Sequence, residues 1–324
     1  MKASARSRAG ALPMLAAAST GVQVGAALVA TRFVVDQSGP ISLALLRYIV
    51  GFLCLLPFVL LAGKAARIGR RDLLPIALIG IVQFGGVVAV LNFGLKYIPA
   101  GRAALIFATF PLITMLLAAA LGHERLTFAK TAGVLLTILG VALALGDKAL
   151  DRGAGGDAWI GELAVFFSAF CGALSSVLYR PYLRRYPALP VGALAMLASV
   201  GFLALLAAGE GFYAAAPRFT AGGWAAVAFI GVSSGVFFYL WLWALERTTA
   251  TRVTVFLALS PITAAGLGAL LLGEPLTLLL LGGLGFVVLG LALAHWPAAQ
   301  APNASGSRAA RAGAAGRSET GSAR

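Results

Sequence analysis

Arg102 and Arg252, Pro111 and Pro261, Glu124 and Glu274, and Thr127 and Thr277 are each 150 residues apart, so the chain carries its own sequence twice in one register. Superposing residues 94–127 on 244–277 without a gap pairs identical residues at eleven of 34 positions. A composition rich in Ala, Leu and Gly gives roughly three or four by chance. The same offset pairs Pro40 with Pro190, Gly133 with Gly283 and Gly140 with Gly290. The fold must therefore be built from two similar units that together span nearly all of the hydrophobic sequence.

Those units belong in a bilayer. With 60% hydrophobic and 11% charged residues and a mean hydropathy of +0.94, the chain lacks the polar surface that a soluble domain of this length needs. Spanning a hydrocarbon core takes roughly 20 apolar residues as helix, and the long uninterrupted runs exclude the alternation of a β-barrel strand. Ten such runs are expected, at 11–34, 41–62, 73–95, 99–121, 128–146, 158–179, 189–208, 222–245, 251–272 and 277–296. The connections are too short to hold a soluble catalytic domain. The expected organisation is a cytoplasmic tail (1–10), a first five-helix repeat (11–146), an extracytoplasmic linker (147–157), a second repeat (158–296) and a disordered cytoplasmic tail (297–324).

The net charge of +14 is explained by where the cations sit. With the N-terminus inside, eighteen Lys and Arg residues fall on the cytoplasmic side, six on the other, and Arg47 within a span. That is the positive-inside bias of a membrane protein, and no nucleic-acid partner is expected. The first run is not a cleaved signal peptide, because it aligns with the sixth and its removal would break one repeat. Cys54 and Cys171 are not repeat-equivalent and read as packing residues.

Five spans per unit is an odd number, so the second unit enters the membrane upside down relative to the first. Two similar units in opposite orientation can exchange conformations, which opens a site between them to alternate sides.

The segment Asn92–Pro111, followed by Gly122-His-Glu-Arg-Leu-Thr127, resembles the EamA-type domain of the drug/metabolite transporter superfamily. A second copy runs from Ala244 through Ser260-Pro261 to Gly273-Glu-Pro-Leu-Thr277, and the stretch Pro40–Arg47 is similar to that family's second span. One departure is Val24-Gly25 before Arg32, where the family carries Trp-Gly. The resemblance implies ten helices in two inverted halves, a central cavity, and export of metabolites, amino acids or drugs.

Candidate site residues follow from polarity within spans. Arg47 is the one formal charge well inside a span; it either snorkels to the outer interface or faces a cavity and holds an anionic group. Gln83 and Asn92 are costly against lipid, but nine residues of helix set them on opposite sides. Helical stripes group Thr20, Gln23 and Thr31; Thr109 with Arg102; Ser168, Ser175, Tyr179 and Tyr182; and Ser260 and Thr263 with Arg252. Ser and Thr can instead bond their own helix backbone. Tyr239 and Trp241 could stack on a substrate. Pro111 and Pro261 each remove a backbone hydrogen bond in equivalent spans and mark kinks near a midplane site. Arg102 and Arg252 begin those spans as interface anchors or as a gate pair. Glu124 and Glu274 sit where an acid favours the next helix's dipole.

No Asp or Glu lies deep in any span, so a carboxylate proton relay has no candidate, and His123 and His295 are too isolated for a metal site. The sequence therefore points to an all-α inner-membrane transporter that exports small organic metabolites, foremost amino acids, by alternating access between two inverted repeats. It needs no cofactor or metal, its partners are the solute and membrane lipids, and it works as a monomer or homodimer. The alternatives are efflux of lipophilic drugs by the same fold, or a membrane-embedded enzyme on lipid-linked substrates, for which no cluster of acids or metal ligands is evident.

Overall fold

Pro40 begins a helix because its fixed φ suits the first turn and its missing N–H has no partner there in any case; Gly63, with φ 52°, ends that helix. Helices make up most of the described structure. The computed structural model describes residues 2–63, 67–121, 128–150, 157–215, 217–248 and 253–294. In chain order the helices are α1 (Lys2–Val34), α2 (Pro40–Ala62), α3 (Arg70–Gly80), α4 (Val87–Gly94), α5 (Ala100–Phe107), α6 (Phe110–Ala120), α7 (Phe128–Leu150), α8 (Ala158–Leu183), α9 (Ala188–Ala207), α10 (Ala221–Arg247), α11 (Leu259–Leu272) and α12 (Leu278–Ala294). Among the described residues there is no strand. Seven helical stretches are long and apolar enough to cross a membrane, and three shorter apolar helices accompany them.

Three spans depart from regular α-helix. The six residues Ile81–Gly86 join α3 to α4 as a π-helical segment. The fourth span breaks at Ala108–Thr109 between α5 and α6, one residue before the Phe110-Pro111 start of α6. The equivalent stretch of the second repeat runs as a 3₁₀ turn over Val255–Ala258 into α11, which begins two residues before Pro261. Both breaks thus fall at the same point of the 150-residue register, as the loss of the proline N–H dictates.

The contacts between helices obey the same register. α1 packs on α10 as its mate α8 packs on α4; α1 packs on α11 as α8 packs on α6; α2 packs on α10 as α9 packs on α3. Mates also pack on each other, α2 on α9 and α7 on α12. The two repeats are therefore related by an approximate two-fold axis.

Glycine makes the α7–α12 crossing possible. A Cβ on Gly140 would lie 2.6 Å from the carbonyl oxygen of Gly283, and one on Gly290 would lie 2.6 Å from that of Gly133. These four residues are the two glycine pairs seen in the repeat, and their bare backbones let the helices approach as closely as small-residue contacts do in membranes.

At the end of α11, Gly273 takes a left-handed conformation, φ 65°, and turns Glu274 away from the helix that follows. That helix, α12, is capped instead by Thr277, whose Oγ1 accepts from the N–H of Leu280 at 3.1 Å. The Glu274 carboxylate crosses to the other repeat and accepts from the N–H groups of Ala100 at 2.9 Å and Gly101 at 3.3 Å, the first turn of α5. The dipole it serves is that of α5, not of the next helix. Glu124 lies outside the described residues.

Candidate functional site

A cavity of about 120 Å³ lies between α1, α2, the α3–α4 span, the α5–α6 break and α10. A water needs roughly 10–15 Å³ of such space, so there is room for several waters or a small organic solute. α1 supplies a helical stripe of Thr20, Gln23, Ala27 and Thr31, and α10 supplies Ser234, Phe238 and Trp241. Four pairs of lining residues are repeat mates, 150 residues apart: Phe84 and Ser234, Val88 and Phe238, Leu91 and Trp241, Phe107 and Leu257. The cavity therefore sits on the approximate two-fold axis. Its symmetry is incomplete, because α1 and α2 line it while none of the described residues of their mates, α8 and α9, does.

The polar groups come mostly from the first repeat. Arg47 turns into the protein rather than along α2 to the interface: its Nε donates to Oγ of Ser234 at 2.6 Å, and the Ser234 hydroxyl is bonded in turn to the Ile230 carbonyl. Its guanidinium stands 5.6 Å from the centre of the Tyr48 ring. No carboxylate among the described residues forms an ion pair with it. Gln23 Nε2 donates to Oγ of Ser233 at 3.0 Å. Thr20 donates to the carbonyl of Ala16 at 2.8 Å. Gln83, carried on the π-helical segment, presents a buried Oε1 that accepts no hydrogen bond. An acceptor left so costs about 1–3 kcal/mol, which a donor in the cavity would relieve.

Aromatic rings line the cavity beside these polar groups. Tyr48 meets Phe84 edge-on at 4.7 Å between centroids, Phe84 meets Phe238 at 4.3 Å, and Trp241 meets Phe110 at 6.3 Å. Such walls suit an apolar or aromatic side group.

The structure thus brings Thr20, Gln23, Thr31, Arg47, Gln83 and Trp241 to one cavity and leaves the other sequence candidates elsewhere. Thr109, Ser175 and Thr263 donate to their own helix, to the carbonyls of Ile106 at 2.8 Å, Cys171 at 2.9 Å and Leu259 at 3.0 Å. Asn92 ties α4 to the start of α2, its Nδ2 donating to the Pro40 carbonyl at 3.0 Å. Tyr179 and Ser260 are buried with hydroxyls that have no partner, and Tyr239 is half-buried beside the cavity residues without lining it. Pro111 and Pro261 are buried just after the helix breaks. Arg102 lies 3.7 Å from Glu162, and Arg252 lies outside the described residues. Sequence reasoning missed Ser233 and Ser234, although the register pairs them with Gln83 and Phe84 and could have pointed to both.

The sequence profile of the EamA-like transporter family matches residues 11–146 and 159–296. The chain belongs to this family. Among its relatives is an uncharacterized transporter of Archaeoglobus fulgidus, 28% identical over 271 residues, covering 82% of this chain and 92% of that one. Another is a protein of Streptantibioticus cattleyicolor named as a probable terminal-alkyne amino-acid exporter, 32% identical over 272 residues, covering 82% of this chain and 87% of the relative. A solved crystal structure has the same fold, with a TM-score of 0.67 at 23% identity, covering 88% of this chain and 95% of its own. An EamA-like protein with seven apolar helices of spanning length is a multi-pass membrane protein, and its family is one of transporters.

Proposed function

We propose that this EamA-like protein is a secondary transporter that exports small carboxylate-bearing metabolites, amino acids foremost, across the bacterial inner membrane. In this reading ten spans form two inverted repeats, 11–146 and 158–296, joined by an extracytoplasmic linker, with both termini in the cytoplasm. The observation that carries it is the cavity on the repeat axis, lined by both polar side chains and aromatic rings. The unpaired guanidinium of Arg47 suits a carboxylate, the free Oε1 of Gln83 suits an ammonium or N–H donor, and the wall of Phe84, Phe110, Phe238 and Trp241 suits a side chain. The name of the Streptantibioticus cattleyicolor relative supports an amino acid.

Alternating access follows from the asymmetry. α1 and α2 border the cavity while none of the described residues of α8 or α9 does. If the halves exchange arrangements, α8 and α9 come to border it instead, and it opens at the other end. With no acid deep in a span, ion coupling would have to run through Arg47, a tyrosine or backbone groups, and facilitated or exchange transport fits the residues as well.

The test is uptake of labelled amino acids into vesicles reconstituted with the full chain. Arg47→Ala and Gln83→Ala should each cut transport at least tenfold, since a hydrogen bond to a charged group contributes about 1.5–3 kcal/mol. If both variants carry every solute as the wild type does, the site lies elsewhere. The aromatic wall also favours a second reading, efflux of lipophilic compounds, which predicts transport of such compounds indifferent to Arg47→Ala.

A further inference from the structure

A second, larger cavity of about 400 Å³ lies where α8 and α10 end, lined by Arg180, Leu183, Arg184, Leu245, Glu246, Arg247 and Thr248. Only a thin layer separates it from the central cavity. Trp241 lines one and Leu245 the other, four residues of helix or about 6 Å apart along α10. On α8 the matching layer is Tyr179 and Leu183, 1% and 4% exposed. The place is also singled out by the register. Arg180 and Arg184 are the mates of Ala30 and Val34 at the end of α1, and Glu246 and Arg247 are the mates of Lys96 and Tyr97 just beyond α4. α1 and α4 border the central cavity. The arginine-lined cavity is thus the counterpart, at the opposite end of the molecule, of the flank along which the central cavity runs.

Its charge is uneven. Arg247 is paired with Glu246 at 3.2 Å and stacks over Trp243 at 4.2 Å, whereas no carboxylate among the described residues pairs with Arg180 or Arg184. The carbonyl ends of α8 and α10 offset about half a charge each, which leaves a net positive mouth where the mate positions offer one lysine.

We infer that this cavity is the second mouth of the pathway and that Arg180 and Arg184 make it select solutes of net negative charge, drawing a carboxylate in before the Trp241–Leu245 layer opens. The inference rests on the transport reading and adds to it the charge class of the solute and the face at which it is chosen. A charged concave mouth raises the on-rate of opposite charges by about tenfold or more, and salt removes the advantage.

The experiment reads the mouth without requiring transport. Thr248→Cys is placed in a background of Cys54→Ala and Cys171→Ala, in phosphatidylcholine nanodiscs, and its reaction rates with a sulfonate-bearing and a trimethylammonium-bearing methanethiosulfonate are compared. The anionic reagent should react about tenfold faster at low salt, Arg180→Gln with Arg184→Gln should abolish the difference, and Arg180→Lys with Arg184→Lys should keep it, which separates charge from misfolding. L-glutamate should slow the reaction where its neutral isostere L-glutamine does not. Equal rates for the two reagents, or protection by both amino acids or by neither, overturn the inference. So does protection that appears only when phosphatidylglycerol is added, which would assign the site to lipid headgroups. If vesicle uptake fails while the rate difference stands, it is the transport reading that falls. If Arg47→Ala blocks uptake while the rates are equal, only the charged mouth falls.

Discussion

The Nε of Arg47 donates to Oγ of Ser234 at 2.6 Å, joining α2 of one repeat to α10 of the other at the edge of the central cavity. A guanidinium on a long flexible stem is held in one place by that bond, with its remaining donors free for a solute. Ser234→Ala keeps the charge and removes the anchor. The apparent KM of a carried solute should rise about three- to tenfold, corresponding to roughly 1 kcal/mol of lost positioning, while expression and melting temperature change little. Uptake kinetics in vesicles measure it, and an unaltered KM would separate Arg47 from substrate binding.

Gln83 predicts opposite movements of stability and transport. Its buried Oε1 has no partner, so Gln83→Leu deletes an unsatisfied acceptor and should leave the apparent Tm in detergent unchanged or raise it, reflecting up to about 1 kcal/mol of added stability. Uptake should fall sharply in the same protein. A drop in both would mean that the amide holds the fold together through a bond this conformation does not show.

The α7–α12 crossing provides a steric test with an internal control. Gly290→Ala places a methyl group 2.6 Å from the backbone oxygen of Gly133, whereas nothing lies within 4 Å of the same group on Gly285. The methyl would also meet the Thr137 hydroxyl, and the Gly133 and Thr137 backbone cannot yield as a side chain can, so Gly290→Ala should destabilise by about 1–3 kcal/mol. Gly285→Ala should be neutral or slightly stabilising, because alanine leaves the unfolded chain fewer conformations to lose. Thermal unfolding of the two variants side by side decides it.

How far the site was legible depended on how regular each helix is. On α1, an unbroken helix, 100° per residue correctly grouped Thr20, Gln23 and Thr31 along one cavity. In the third span the π-helical segment changes the phase at Gln83 itself, and no residue pattern announced it. Thr109 and Thr263 bond the carbonyls three and four residues back, Ile106 and Leu259, as Ser and Thr in helices commonly do, so their hydroxyls turn to the backbone instead of a cavity. Tyr239 and Trp241 are about 200° apart on a helix, so only one of them can face the site, and that one is Trp241. The register itself was legible from prolines and glycines because their backbone consequences, breaks and close crossings, recur in both halves. What it could not reveal is where a long side chain ends, as Glu274 shows by reaching α5.

Beyond the spans, the turn after α8 is tied to the start of α3: the Tyr186 hydroxyl donates to Asp72 Oδ2 at 2.7 Å, and Arg185 stands 3.6 Å from the same oxygen. The hydrogen bond to Asp72 is the main cause that raises the Tyr186 pKa above its ordinary value of 10.0. A folded-state pKa above the unfolded one gives stability that is complete below the unfolded value, about 10, and is lost as pH climbs through the folded value. Tyr186→Phe should therefore melt below the wild type at pH 7–8, and the gap should close above about pH 10. A gap independent of pH would mean that the ring, not the hydroxyl, makes the tie.

Glu274 gives the clearest link between the repeats outside the cavity. Its two oxygens accept from Ala100 and Gly101, satisfying N–H groups that the first turn of α5 leaves without helical partners, and placing a negative charge at the positive end of that helix. Arg102, one residue on, is drawn toward Glu162 instead, at 3.7 Å, so the carboxylate is committed to the backbone. Glu274→Ala should lower stability by about 0.5–2 kcal/mol, the range for losing an N-cap. Glu274→Gln, which keeps one carbonyl acceptor but not the charge, should recover part of that loss. Because α5 ends at the break beside the cavity residues Phe107 and Phe110, freeing its first turn should also loosen that wall. The measurable sign is faster hydrogen exchange at the amides of Ala100 and Gly101 in Glu274→Ala, spreading toward Phe107. Exchange confined to the first turn would show that the cap stabilises α5 locally and has no influence on the cavity.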